Sequence, residues 1–218
     1  MNNLRKHFAR LAWYRRKHGV WQTIVAVARR LRNKYFHYYI NMYMVRADEV
    51  TGLTVELPTS VTMRRYSSMA EVSADVIRDL SVDKKDNAEL EQYFKLLFER
   101  GGTLWVGFWD NVAALYGWHG ANVWHGMPVL DGAVVLHTFE TVESYRGRGL
   151  YPLLIRHVTL ACLRAGAPAA YVSSDIRNLP SNAGIRKTFY RCIGSFSERG
   201  QGNRKTVRWK NRPDLHEI

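Results

Sequence analysis

Cysteine is scarce in this chain: Cys162 and Cys192 are the only two among 218 residues. A disulfide framework is thereby excluded. Neither cysteine stands at metal-ligand spacing from a histidine, and the eight histidines are scattered, so no metal is expected. No apolar run approaches the ~18 residues that a bilayer-spanning helix needs. Internal repeats and low-complexity stretches are also missing. The first 47 residues contain no Asp or Glu, but they hold 11 Lys and Arg. No Walker phosphate loop is present, because no Gly-Lys-Ser/Thr follows any glycine-rich stretch.

What remains has the composition of a globular protein, 46% hydrophobic and 23% charged. The length suits one domain plus an extension. The net charge of +13 is unevenly spread. Residues 48–185 carry 12 basic and 16 acidic side chains, and residues 186–218 carry 9 and 3. Basic material therefore flanks a mildly acidic centre. We expect a basic amphipathic helical extension over 1–48 and a second domain over 49–218. Leu4, Phe8, Leu11 and Ala12 form a helical stripe among arginines and lysines, and Trp21, Tyr35, Phe36, Tyr38, Tyr39 and Tyr43 follow. The apolar stretch at Val20–Ala28 is short, arrives late and ends in arginines, unlike a signal peptide. Three readings of the extension stay open. It lies on an anionic membrane surface, it contacts nucleic-acid phosphates, or it packs on the other domain or on a second copy in a homodimer. Its apolar and aromatic content argues against a nucleic-acid arm.

The second domain is organised around Val142-Glu143-Ser144-Tyr145-Arg146-Gly147-Arg148-Gly149-Leu150-Tyr151-Pro152. An apolar run, Ala133–Leu136, precedes it and reads as a strand. Leu150, Leu153, Leu154, Val158 and Leu163 follow at helical spacing. Pro152 suits a first helical turn, where its missing N–H costs nothing. Glycines before a helix start leave room for an anion at its free N–H groups. Arg146 and Arg148 add charge. The stretch therefore reads as a diphosphate cradle, with a basic surface turn as the plainer alternative. Ala169–Ser174 reads as another strand, followed by Asn178-Leu179-Pro180-Ser181 and a short helix reaching towards Phe189-Tyr190.

Upstream, Val61–Tyr66 reads as a strand. Ser68-Met69-Ala70-Glu71 forms a capping box that predicts a helix to about Leu80. A second helix is expected from Asn87, with Leu90, Phe94, Leu97 and Phe98 buried, ending at Arg100-Gly101-Gly102. Thr103–Trp109 and Val112–Trp118 read as a hairpin turning at Asp110-Asn111. A last strand is expected near Arg204–Trp209.

The glycine turn at a helix start, the following strand and Asn178-x-x-Ser181 together resemble the GCN5-related N-acetyltransferase superfamily over roughly residues 60–200. The resemblance implies a mixed α/β (α+β) acyltransferase fold, with a central twisted mixed sheet flanked by helices. It implies acetyl-CoA as donor, a primary amine as acceptor, and no metal. It places the pyrophosphate on Arg146, Gly147, Arg148, Gly149, Leu150 and Tyr151. Tyr151 departs from the family's small residue at that position. Asn178 and Ser181 would flank the pantetheine arm. Phe139-Glu140-Thr141-Val142 would be the strand segment that splays from its neighbour and polarises the thioester, so Thr141 and Val142 are also expected at the donor. Glu140 is the first candidate base and His137 the second, with Glu143 and Asp175 weaker. Strand alternation predicts Glu140 and His137 on opposite faces. The family's tyrosine acid, seven residues after the motif asparagine, falls on Ile185.

The aromatic and histidine cluster Trp105, Phe108, Trp109, Trp118, His119, Trp124 and His125 suggests either core packing or a sugar-stacking acceptor site. With the membrane-prone N-terminus, the cluster motivates an amino-sugar acceptor in surface-polysaccharide synthesis, an aminoglycoside-like or peptide amine being equally compatible with the residues. The enzyme is expected to be cytoplasmic, peripheral on the cytoplasmic membrane face. A basic nucleic-acid-binding protein and a CoA-binding protein without turnover are the alternatives.

Overall fold

The structure is a computed structural model that describes residues 38–83, 86–120, 129–199 and 206–211, with Gly19, Val20 and Ile24. The helical extension expected before residue 37 lies almost wholly outside the described residues, as do Trp124 and His125. The chain divides into two compact units, residues 1–39 with 197–208 and residues 40–196 with 209–218. In the first unit, the Ser197 hydroxyl donates to the Arg208 carbonyl at 3.3 Å. The candidate site lies in the second.

Eight strands form one sheet: β1 (Tyr38–Arg46), β2 (Val61–Tyr66), β3 (Thr103–Trp109), β4 (Val112–Gly120), β5 (Val134–Thr141), β6 (Ala169–Asp175), β7 (Arg191–Arg199) and β8 (Thr206–Asn211). Their spatial order is β2-β3-β4-β5-β6-β1-β7-β8. The β2-β3, β3-β4, β4-β5 and β6-β1 pairs are antiparallel, and β5-β6 is parallel. Among the described residues four helices flank the sheet: α1 (Ala74–Leu80), α2 (Asn87–Glu99), α3 (Leu150–Arg164) and α4 (Leu179–Arg186).

Two cores fill the faces. Leu150, Leu154, Ile155, Val158 and Leu163 of α3 join Ile185 of α4 against Tyr43, Val45, Leu136, Ala170 and Val172. On the other face, Val76, Ile77 and Leu80 of α1 and Leu90, Phe94 and Leu97 of α2 cover Val106, Phe108, Tyr116 and Trp118. Of the helical stripes expected for α2 and α3, Leu90, Phe94, Leu97, Leu150, Leu154, Val158 and Leu163 are buried, and Phe98 and Leu153 are half-buried. The Asp110-Asn111 turn of the β3-β4 hairpin has positive φ at both residues, 48° and 67°. That is the geometry of a two-residue turn matching strand twist.

Three expectations need correction. The end of the presumed helical extension is strand: residues 38–46 form β1, with Met42, Met44 and Val45 fully buried. The Ser68 capping box does not form: the Ser68 hydroxyl donates to Glu71 Oε1 at 3.1 Å instead of accepting a helical N–H, and Glu71 Oε2 accepts from the Ser67 N–H at 3.0 Å. These bonds enclose only a short 3-10 turn, Met69–Glu71. The extended backbone of the buried Val72 interrupts it, and α1 starts afresh behind Ser73, whose hydroxyl caps the Val76 N–H. Finally, α4 stops at Arg186 rather than reaching Phe189-Tyr190.

Candidate active site

β5 and β6 are paired only through Val134–Ala170, Val135–Tyr171 and Leu136–Val172. Beyond that point β5 continues to Thr141 and β6 to Asp175 without pairing to each other, so the sheet opens between them. The glycine turn follows the open end of β5. A 3-10 turn, Glu143–Tyr145, leads to Gly147 at φ +80° and Gly149 at φ +75°. Gly149 is the residue preceding α3, and no side chain caps the helix start. A Cβ at either glycine would meet nothing within 4 Å, so the space above the turn is open. Uncapped N–H groups and open space together suit an anionic ligand.

The two arginines of the turn also have structural partners. Arg146 donates from Nε to the Thr141 carbonyl at 3.1 Å, and Arg148 from Nη2 to the Ser144 carbonyl at 3.4 Å. The Arg148 guanidinium lies 5.0 Å from the Trp109 ring centre and 5.2 Å from that of Tyr145. Both side chains are exposed, so a phosphate can share them. The side chains of Leu150 and Val142 are buried.

Asn178 and Ser181 stand across the opening. Asn178 is the N-cap of α4, its side-chain oxygen accepting the Ser181 N–H at 3.2 Å. The Ser181 hydroxyl meets the Tyr151 hydroxyl at 2.6 Å. Asn182, which the sequence did not single out, ties this wall together. Its side-chain oxygen accepts from Asn41 Nδ2 at 3.2 Å and Tyr43 OH at 2.7 Å. Its side-chain nitrogen donates to the Asp175 and Asn178 carbonyls at 2.7 and 2.8 Å.

β5 carries a bulge at the opening. Tyr116 faces Glu140 and Trp118 faces His137, so two steps on β4 match three on β5. The extra residue falls at Thr138-Phe139 opposite Gly117, with Thr138 at φ +53°. Phe139 lies over Gly117, where a Cβ would come within 2.3 Å of its ring. Opposed residues of an antiparallel pair share a face, and Tyr116 and Trp118 both belong to the α1-α2 core. Glu140 and His137 therefore share one face, contrary to simple alternation, because a bulge shifts the alternation by one residue.

On that face Tyr116 donates its hydroxyl to Glu140 Oε2 at 2.7 Å. Burial and the Glu140 carboxylate both raise the Tyr116 phenol far above its usual value, so it stays a donor. The Thr138 hydroxyl lies 3.0 Å from His137 Nδ1 and 3.3 Å from the Tyr93 hydroxyl of α2. Burial, with a smaller contribution from His119, lowers His137 to about 4 and keeps its ring neutral near pH 7. The sequence reading missed Tyr93, Tyr116 and Thr138. A tyrosine directly across from a candidate carboxylate is a pairing that only strand register reveals.

The other candidates fall away from this cluster. Glu143 accepts nothing from it and is exposed, its backbone N–H bonded to Asp83. Asp175 is bound by Arg177, which holds its carboxyl below the ordinary range. Burial pushes the Cys162 thiol up to about 12. Most of the aromatic cluster is core. Trp118 is fully buried against Phe94 and Phe98, and Trp105 donates to His119 Nδ1 at 2.8 Å. No group of metal-ligating side chains occurs among the described residues.

No family model matches the sequence, and no curated protein matches it significantly. Solved structures do match. A tandem GNAT protein from the clavulanic acid biosynthesis pathway superposes with TM-score 0.57 at 10% identity, over 82% of this chain and 55% of that one. The chain has the GCN5-related N-acetyltransferase fold. A GNAT-family acetyltransferase from Colwellia psychrerythraea matches with TM-score 0.54 at 14% identity, over 82% of this chain and 58% of that one. A GCN5-related N-acetyltransferase from Sphaerobacter thermophilus gives 0.52 at 12% identity, over 86% and 57%. The chain thus spans a little over half the length of these proteins. In this chain β1 is set between β6 and β7, and the opening between β5 and β6 lies beside the glycine turn. No described helix is long and apolar enough to cross a membrane.

Proposed function

We propose that the chain is an acyl-CoA-dependent N-acyltransferase, with acetyl-CoA as donor and a primary amine as acceptor. The observation that carries this reading is the parting of β5 and β6 beside an uncapped, glycine-led helix start. The backbone N–H groups of Gly147, Gly149, Leu150 and Tyr151, with Arg146 and Arg148, take the pyrophosphate. The pantetheine arm lies in the opening, between Thr141-Val142 and the Asn178–Ser181 wall. The donor supplies an activated thioester carbonyl. The residues around it supply position and proton transfer, and holding the reactants in line accounts for much of the rate gain. Glu140 takes the amine's proton directly or through water, and the bond from Tyr116 fixes the carboxylate. His137, neutral and tied to Thr138, orients the acceptor rather than carrying charge.

The acceptor is a hydroxylated amine of the amino-sugar type. The hydroxyls of Tyr93 and Thr138 and the carboxylate of Glu140 on one face support this reading. The site belongs to surface-polysaccharide synthesis, with the basic first 37 residues holding the enzyme on an anionic membrane surface.

The deciding experiment is thermal denaturation with acetyl-CoA and longer acyl-CoAs, comparing the natural chain with Gly149→Trp. A donor at a hundredfold excess over its dissociation constant stabilises the folded state by about 2.7 kcal/mol. The expected result is stabilisation of the natural chain and none of the variant. No stabilisation by any acyl-CoA refutes the reading. Release of free CoA thiol on adding amino sugars then identifies the acceptor.

A further inference from the structure

Tyr151 stands in the first turn of α3, and its side chain spans the opening. The ring lies edge-on to Phe139 of β5, centres 6.0 Å apart. Its far end bonds the Ser181 hydroxyl of α4 at 2.6 Å. A Cβ at Gly184 would come within 2.4 Å of the ring, so α4 has a glycine where the tyrosine presses against it. The ring is largely buried, and burial raises its phenol. One side chain thus bridges the β5 wall and the α4 wall of the gap where the sheet parts.

We propose that Tyr151 is the specificity residue of the donor slot: it closes the gap and must swing away from Ser181 when the thiol arm of a CoA thioester enters. The inference rests on the acyltransferase reading above. Displacement breaks the Tyr151–Ser181 bond and withdraws the ring from Gly184 and Phe139. Donor binding is therefore weaker than an open slot would give, by the cost of that movement. The freed Ser181 hydroxyl becomes available to an amide of the arm, so the slot recovers part of the cost only for a ligand that carries such an amide. Phosphate-bearing nucleotides without the arm bind the glycine turn and leave Tyr151 in place.

The test is calorimetric titration of the full chain and of Tyr151→Ala and Tyr151→Phe with CoA and with adenosine 3′,5′-bisphosphate, which lacks the arm. Circular dichroism melts establish that each variant is folded. Removing one hydrogen bond that must otherwise be broken tightens binding about fivefold, so Tyr151→Phe is expected to bind CoA about fivefold more tightly. Tyr151→Ala is expected to bind more tightly still, and the bisphosphate equally well in all three. If the alanine variant does not fold, the phenylalanine variant decides alone. A folded Tyr151→Ala that binds CoA no more tightly than the natural chain overturns the inference while leaving the acyltransferase reading intact. Absence of CoA binding in all three overturns both.

Discussion

His137 gives the most direct quantitative test of the bulged strand. Its imidazole is held at about 4 against 6.5 in an exposed histidine, first by burial and then by His119. Between those values the unfolded chain binds a proton that the folded chain refuses. Folded stability therefore falls as the pH drops from about 6.5 towards 4, and the loss from this residue levels off below. A difference of 2.5 units corresponds to about 3 kcal/mol at ~1.36 kcal/mol per unit. Most of that loss is present by about pH 4.5. His119 and His157 are also lowered by burial and act in the same direction, so the natural chain alone does not isolate the effect. The comparison with His137→Gln does, because glutamine keeps a polar side chain and does not titrate. Urea denaturation of both chains at pH 7 and pH 4.5 gives four stabilities. The natural chain is expected to lose about 2 to 3 kcal/mol more than the variant on acidification. Equal losses would mean that His137 is solvated, and the shared face with Glu140 would lose its basis.

Glu140→Gln is expected to lower kcat by roughly 10²- to 10⁴-fold, the range for loss of a general base. Tyr116→Phe should cost less, and a shifted pH profile with little change in KM for the amine would separate positioning from folding damage. Asn182→Ala removes an amide that makes four side-chain bonds. It should destabilise the chain by about 2 to 4 kcal/mol in urea, since buried partners are left unpaired. For the basic segment, the natural chain should sediment with vesicles containing anionic lipid at low salt and be released at high salt. An Arg15→Glu/Arg16→Glu variant should bind less, and equal sedimentation of neutral vesicles would dismiss the electrostatic reading.

Much of the domain was legible because its signals are local. The stripe of α3, the paired hairpin strands and the glycine turn each lie within one short stretch. Local chemistry was also decisive for the Asp110-Asn111 turn. What failed depended on partners far along the chain. Ser68 and Glu71 do bond locally, but not as a helix cap, and Val72 is drawn into the core beside α1 and ends the turn. The segment 38–46 has no clean alternation because both faces of β1 are covered, successive residues Met42, Tyr43, Met44 and Val45 all being buried. A strand buried on both faces looks like any apolar run. The bulge was invisible for a similar reason. Thr138 is an ordinary strand residue, and only its pairing opposite Gly117 makes the extra step.

β1 is tied by side-chain bonds to the wall of the proposed donor slot. Asn41 and Tyr43 bond the amide of Asn182, and that amide in turn holds the carbonyls of Asp175 and Asn178. Asp175 ends β6 and Asn178 caps α4, so one buried amide joins both to β1. The wall carrying Ser181 therefore depends on residues at the N-terminal end of the described chain, some 140 positions away from Asn182. A strand that served only to widen the sheet would make backbone bonds to β6 and nothing more. Asn41 and Tyr43 instead spend polar side chains on the one residue that fixes the turn between β6 and α4. Damage to this contact should thus reach donor binding as well as stability. Tyr43→Phe separates the two, because it keeps the packed ring and removes only the hydroxyl. A small loss of stability with a larger loss of CoA affinity is the expected pattern, and proportional losses would make β1 structural alone.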